Sequence, residues 1–192
     1  VWGRTGPRGV YHPDYPASSV YVTSVGGTDF AKKSVIGDEK AWEDGGGGFS
    51  NTFTRPTYQT KAVEQYLKSA DLPDPKLFNS TGRGYPDVAA LAGVQNPYCV
   101  SVVNLLVGVG GTSAASPVVA GMMARLNEVR LQKGGKALGF LNPFLYKHPA
   151  AFNDVTLGEN TGGGPSGFKA TKGWDPATGL GTPKFDELAK LV

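Results

Sequence analysis

The chain has 192 residues, a formal net charge of +3, 40% hydrophobic and 18% charged residues, enough apolar material for one sizeable core and too much for a disordered chain. No apolar run reaches the roughly eighteen residues that span a bilayer, which argues against a membrane protein. The basic residues are scattered, never four in a row, and no motif interleaves them with aromatics, which argues against a nucleic-acid partner. Glycine at 28 and proline at 14 suit a loop-rich enzyme whose backbone comes close to its substrate.

In chain order, the sequence begins at Val1-Trp2-Gly3-Arg4 without a signal peptide, so targeting information is expected upstream. Residues 19–25 read as a buried strand between Pro16 and Gly26-Gly27. Residues 31–48 are polar and end in glycines, a surface excursion with a hairpin. Val63, Tyr66 and Leu67 at helical spacing predict an amphipathic helix over 58–70. Asn79-Ser80-Thr81 is a glycosylation sequon, compatible with a secreted or lysosomal route.

Residues 87–91 are apolar after Pro86 and predict a core strand with Asp87 at its start. A second β run over 98–107 leads to Gly110-Gly111. It holds the lone Cys99, read as a buried thiol by its flanking valines, the alternative being a bridge to another chain. A helix over 113–133, apolar enough to be buried, ends at Gly134-Gly135, and a short helix over 184–191 closes the chain. Strands alternating with helices predict an α/β fold with a mostly parallel sheet.

Chemistry concentrates in Gly111-Thr112-Ser113-Ala114-Ala115-Ser116-Pro117. A hydroxyl at a glycine-to-helix junction is placed to be a nucleophile, because the free N–H groups of the first turn can stabilise an oxyanion. The same spacing also describes a plain Ser/Thr N-cap on a core helix. His12 and His148 lie beside prolines and read as surface residues. Trp174 reads as a core anchor, and 45–50 as either a groove for extended peptide or a flexible loop.

The words around Ser113 resemble the nucleophile segment of subtilisin-like peptidases. Tyr15-Pro16-Ala17-Ser18-Ser19, Val25-Gly26-Gly27-Thr28, Gly45-Gly46-Gly47-Gly48-Phe49-Ser50, Arg83-Gly84-Tyr85-Pro86-Asp87-Val88-Ala89-Ala90, Leu138-Gly139-Phe140-Leu141-Asn142-Pro143 and Gly173-Trp174-Asp175-Pro176 stand in the order of the sedolisins, the serine-carboxyl peptidases. The resemblance implies a subtilisin-like three-layer α/β fold, with residues 1–192 as the C-terminal part of one catalytic domain. It implies an acid peptidase acting on peptides or proteins, with Ser113 as nucleophile and Asp87 as the oxyanion-hole acid. Asp87 would have to be protonated, because only then does a carboxyl donate a hydrogen bond; its plainer reading is a turn cap.

For Asp154 and Asp175, two hard carboxylates in carbonyl-rich loops suit Ca²⁺, although turn aspartates look the same. The resemblance assigns their side chains and the carbonyls of Val155, Thr171 and Gly173 as ligands, Thr171 standing where glycine is usual. A sedolisin serine takes its base from a Glu/Asp pair on one helix, and no Glu-x-x-x-Asp word is present here. The expectation is that an N-terminal chain of the same precursor carries the pair. A subtilisin-type protease and a non-catalytic, calcium-braced binding module are the alternatives.

Overall fold

The computed structural model describes residues 4–5, 10–68, 71–162 and 166–192. The central sheet has three strands, β1 (Val25–Phe30), β2 (Glu39–Ala41) and β5 (Val88–Leu91), in the order β2-β1-β5. β2 returns antiparallel to β1, the hairpin expected within 31–48, while β5 runs parallel to β1 with Val25 opposite Val88 and Thr28 opposite Leu91. The far edge of β5 is covered by the C-terminal loop, through Ala89 N–H to Gly181 O at 3.0 Å and Leu180 N–H to Asp87 O at 2.8 Å.

β1 starts at Val25, six residues later than the sequence reading, and Gly26-Gly27 lie inside it. These glycines are packing residues, not a stop. A side chain at Gly26 would meet the Pro86 ring at 2.7 Å, and one at Gly27 would meet Ala92 Cβ at 2.8 Å and the Trp42 ring at 2.9 Å.

β3 (Gly48–Thr54) pairs antiparallel with β4 (Gly82–Tyr85), with a register shift between Phe49 and Thr54. Residues 45–50 are all buried, so the flexible-loop reading falls. Asn79, in the sequon, caps its own turn by accepting from Thr81 N–H at 3.1 Å and donates to Ser50 O at 3.2 Å. Phe49 lies amid the rings of Phe78, Phe168 and Trp174, with centroids 5.1 to 6.1 Å away. α1 (Thr60–Leu67) buries Val63 and Tyr66 against this cluster; residues 69–70 of the predicted helix lie outside the described residues.

The β run predicted over 98–107 is instead an exposed antiparallel hairpin of β6 (Tyr98–Val102) and β7 (Leu105–Val109). Val103 and Asn104 turn at φ 49° and 60°, both left-handed as the tight hairpin turn requires. Leu105 and Leu106 are 68% and 76% exposed, and Cys99 is exposed with them, which overturns its buried-thiol reading. The flanking valines mislead because a two-stranded ribbon without a covering layer buries neither face.

α2 (Thr112–Gln132) lies on β1 and β5 and buries one stripe, Ala115, Val119, Met123 and Leu126. The all-round burial expected of this helix is not found. Ser116, Pro117, Ala120, Gly121 and Ala124 remain exposed. α3 (Asn142–Lys147) and α4 (Phe185–Lys190) bury Leu145 and Leu188, completing an α/β fold. The parallel β1–β5 pair carries α2, and the other ladders among the described residues are antiparallel. His12 is exposed, and His148 is half-buried with its ring 5.0 Å from that of Phe144.

Candidate active site

Gly111 ends the strand-to-helix connection at φ 102°, a conformation that disfavours any side chain. Its N–H donates to Ala92 O at 2.5 Å, which ties the start of α2 to the carboxyl end of β5. Its carbonyl accepts from Ala114 and Ala115 N–H at 2.9 and 3.3 Å. Gly111 is therefore the N-cap, and no side chain caps the helix, so the Ser/Thr-cap reading of this segment falls.

Ser113 is exposed, and its hydroxyl and its backbone N–H have no hydrogen-bond partner among the described residues. An unspent hydroxyl beside an unspent amide, at the positive end of a 21-residue helix, can attack a carbonyl and hold the resulting oxyanion. Pro117 lies inside the helix, beyond the first turn. Lacking an N–H, it leaves the Ser113 carbonyl without its usual i+4 donor.

Asp87 is not part of this site. It precedes β5, whereas Ala92, which binds Gly111, follows it, and five residues of extended strand separate the two by about 16 Å. Its side chain is fully buried; Oδ2 accepts from Arg83 Nη2 at 2.6 Å and from Ser24 N–H at 2.7 Å, and Oδ1 from the Tyr146 hydroxyl at 3.1 Å. Burial pushes its pKa up, while Arg83, the Ser24 amide and Tyr146 pull it back. All three neighbours donate, so the group they suit is an acceptor. The assignment of Asp87 as oxyanion acid is corrected on distance and on hydrogen bonding: it is the buried anchor of a polar network.

Arg83, Gln59 and Tyr146 complete that network and escaped the sequence reading. Gln59 donates to Tyr146 Oη at 2.7 Å and accepts from Gly84 N–H at 2.9 Å. Arg83 is 0% exposed and also donates to Gly84 O at 2.8 Å. Nothing in the local sequence distinguishes a buried arginine from a surface one; the only hint was Arg83 and Asp87 within one motif word.

The residues assigned to Ca²⁺ do come together. Asp154 Oδ2 accepts from Gly173 N–H at 2.9 Å, which joins the loop holding Asp154 and Val155 to the 171–175 turn. Asp175 is 0% exposed; Oδ2 accepts from Thr171 N–H at 2.9 Å and Oδ1 from the Ala177 and Thr178 amides and the Thr178 hydroxyl. Burial pushes its pKa up to about 7, against those four donors, and no cationic side chain pairs with it among the described residues. A buried carboxylate without a counter-charge, in a turn that Gly173 N–H ties to the Asp154 carboxylate, suits a hard cation as counter-ion. Glu159 and Asn160 are not part of it: Asn160 is buried and ties Gly46 O, Pro176 O and Phe168 N–H, while Glu159 is exposed.

A parallel strand pair covered by a helix that starts at a glycine cap is an arrangement of the subtilisin-like α/β class. The profile of the subtilase family matches residues 6–138. Tripeptidyl-peptidase 1 of Mus musculus is 46% identical over 200 residues, covering 100% of this chain and 35% of that protein. Tripeptidyl-peptidase sed1 of Aspergillus fumigatus is 42% identical over 203 residues, covering 95% and 31%. Among solved structures, a Pseudomonas sedolisin, a serine-carboxyl proteinase complexed with two molecules of pseudo-iodotyrostatin, superposes with a TM-score of 0.73 at 28% identity, covering 96% of this chain and 50% of that one. The chain belongs to the subtilase family and, within it, to the sedolisins. It spans about a third of the length of the curated relatives it matches.

Proposed function

We propose that this chain carries the nucleophile of an acid serine-carboxyl peptidase and works together with a polypeptide that supplies a Glu/Asp pair. The exposed Ser113 hydroxyl at the start of α2 is the observation that carries the reading. Ser113 Oγ bonds to the scissile carbonyl carbon as its proton passes to the carboxylate of the pair, and the Ser113 N–H donates to the oxyanion. Collapse breaks the C–N bond, the amine leaves with that proton, and water then hydrolyses the acyl-enzyme. Both named relatives are tripeptidyl-peptidases, which favours release of tripeptides over internal cleavage.

No acid or base among the described residues hydrogen-bonds Ser113, so both the base and the acidic oxyanion donor are assigned to the partner polypeptide. The exposed β6–β7 hairpin and the bare small-residue face of α2 offer it an apolar docking area, beside Cys99. A secreted or lysosomal setting accords with acid chemistry, and no helix among the described residues is long and apolar enough to cross a membrane. The assembled protein is expected to hydrolyse peptides fastest in acid, because two carboxyls sharing one proton lose it as pH rises. A pH–rate profile peaking above neutrality would replace the carboxyl base with a histidine.

Ca²⁺ is proposed as the structural cation, held by the Asp154 and Asp175 side chains with the carbonyls of Val155, Thr171 and Gly173. It would supply the charge that Asp175 lacks. The sign of the pH effect follows from the raised pKa: without a cation, the stability Asp175 contributes is full below the unfolded value near 4 and fades as pH rises toward 7. A cation binds the ionised form, so it restores at neutral pH what the proton supplies in acid. At free calcium about a hundredfold above its Kd, chelation is expected to lower Tm by about 5 to 10 °C near pH 7 and by much less near pH 4. An unchanged Tm at both pH values, with Asp154→Ala equally silent, removes the site.

A further inference from the structure

At the end of the sheet occupied by Asp87, away from Ser113, a cavity of about 370 Å³ opens between α1, α3 and the 173–180 loop. Tyr58, Tyr146, Trp174 and Leu180 wall it, the two tyrosine rings standing 5.3 Å apart, centroid to centroid. Trp174 is held rigid by an Nε1–H bond to Pro86 O at 2.9 Å, and Tyr146 by its bond to Asp87. Lys61 and Lys147 stand exposed at the rim. The walls are flat, apolar and fixed.

The charged side chains that line this cavity are both cationic. Lys61 and Lys147 form no ion pair, and the Gln65 amide makes no side-chain hydrogen bond, among the described residues. The Tyr58 hydroxyl accepts from Asn142 Nδ2 at 3.1 Å, while its own proton has no acceptor. Burial raises the Tyr58 pKa, so that proton stays in place across the range in which proteins work. No aspartate or glutamate lines the cavity among the described residues. Two exposed cations without an ion-pair partner among the described residues therefore stand over aromatic walls.

We propose that this cavity binds a small molecule made of a flat apolar body and one anionic group: an aryl or acyl carboxylate, sulfonate or phosphate ester. The body lies against the tyrosine and tryptophan rings, where aromatic contact adds to the burial of apolar surface. The anion meets the exposed Lys61 and Lys147 at the rim, a charge-assisted arrangement. A volume near the lower bound of ordinary ligand pockets suits a bicyclic ring system better than a peptide. The site is separate from the Ser113 chemistry and does not depend on it.

Calorimetric titration with naphthoate at about pH 6, where both the carboxylate and the lysines are charged, tests the assignment. One-to-one saturable binding is expected, with Kd on the order of 0.1 mM. Replacing both exposed lysines, Lys61→Ala with Lys147→Ala, should weaken it about tenfold, the neutral naphthamide should bind about tenfold less well, and Ser113→Ala should change nothing. Absence of saturation, equal binding of naphthamide, or an unchanged Kd in the lysine double variant, which would put the ligand on the exposed 98–109 hairpin, overturns the proposal.

Discussion

Replacing Ser113 by alanine is expected to abolish peptide hydrolysis by the assembled protein at every pH, by on the order of a millionfold, the scale on which loss of a serine nucleophile acts in related chemistry. The loss should fall in kcat, because the hydroxyl bonds to substrate only as the reaction proceeds. Tm should hardly move, since Ser113 is exposed and its side chain makes no hydrogen bond among the described residues. A serine-reactive phosphonate or aldehyde should modify the native protein and spare the variant. Residual turnover within tenfold of the native rate, with folding intact, would show that another group attacks the carbonyl. Gly111→Ala is the useful companion: its φ of 102° is costly for a side chain, so it should lower activity by shifting the helix start while leaving the hydroxyl in place.

Much of the site was legible because its chemistry is written locally. A glycine, a hydroxyl and a small-residue helix within seven positions require only that a strand deliver the chain to a helix start, and the structure realises that junction at Gly111. The helices at 60–67 and 185–190 were equally readable from apolar spacing. What failed depended on the third dimension. Gly26-Gly27 looked like a strand end because nothing nearby in sequence reveals that the Pro86 ring and Ala92 press on them. Val100 and Val102 looked like core because β-branched residues fit both a buried strand and an uncovered ribbon. Asp87 was the costliest misreading: its motif word is genuine, but the word serves a buried anchor whose partners, Ser24, Arg83 and Tyr146, come from three parts of the chain.

That anchor yields the largest expected effect on stability. Arg83 and Asp87 are both 0% exposed and meet at 2.6 Å, so taking away the cation leaves a carboxylate in the interior with only an amide and a hydroxyl to hold it. Removing one member of such a pair typically costs about 3 to 5 kcal/mol. Arg83→Met, which keeps length and loses charge, is expected to lose that much at neutral pH. The pH dependence separates this cause from mere loss of packing. Desolvation already raises the Asp87 pKa, and without Arg83 it rises further. A group raised in the folded state gives its full stability below its unfolded pKa, near 4, and loses it as pH climbs through the folded value. The Tm deficit of Arg83→Met should therefore be small near pH 4 and large near pH 7. Asp87→Asn leaves a buried guanidinium that cannot shed its charge, held by Gly84 O and Val22 O, so its cost should be comparable but should not fade toward pH 4, and it should leave the shape of the pH–rate profile unchanged because Asp87 lies far from Ser113. A deficit of the same size at both pH values would mean that the arginine acts through packing alone, and an altered pH–rate profile in Asp87→Asn would bring that carboxyl back to the catalytic step.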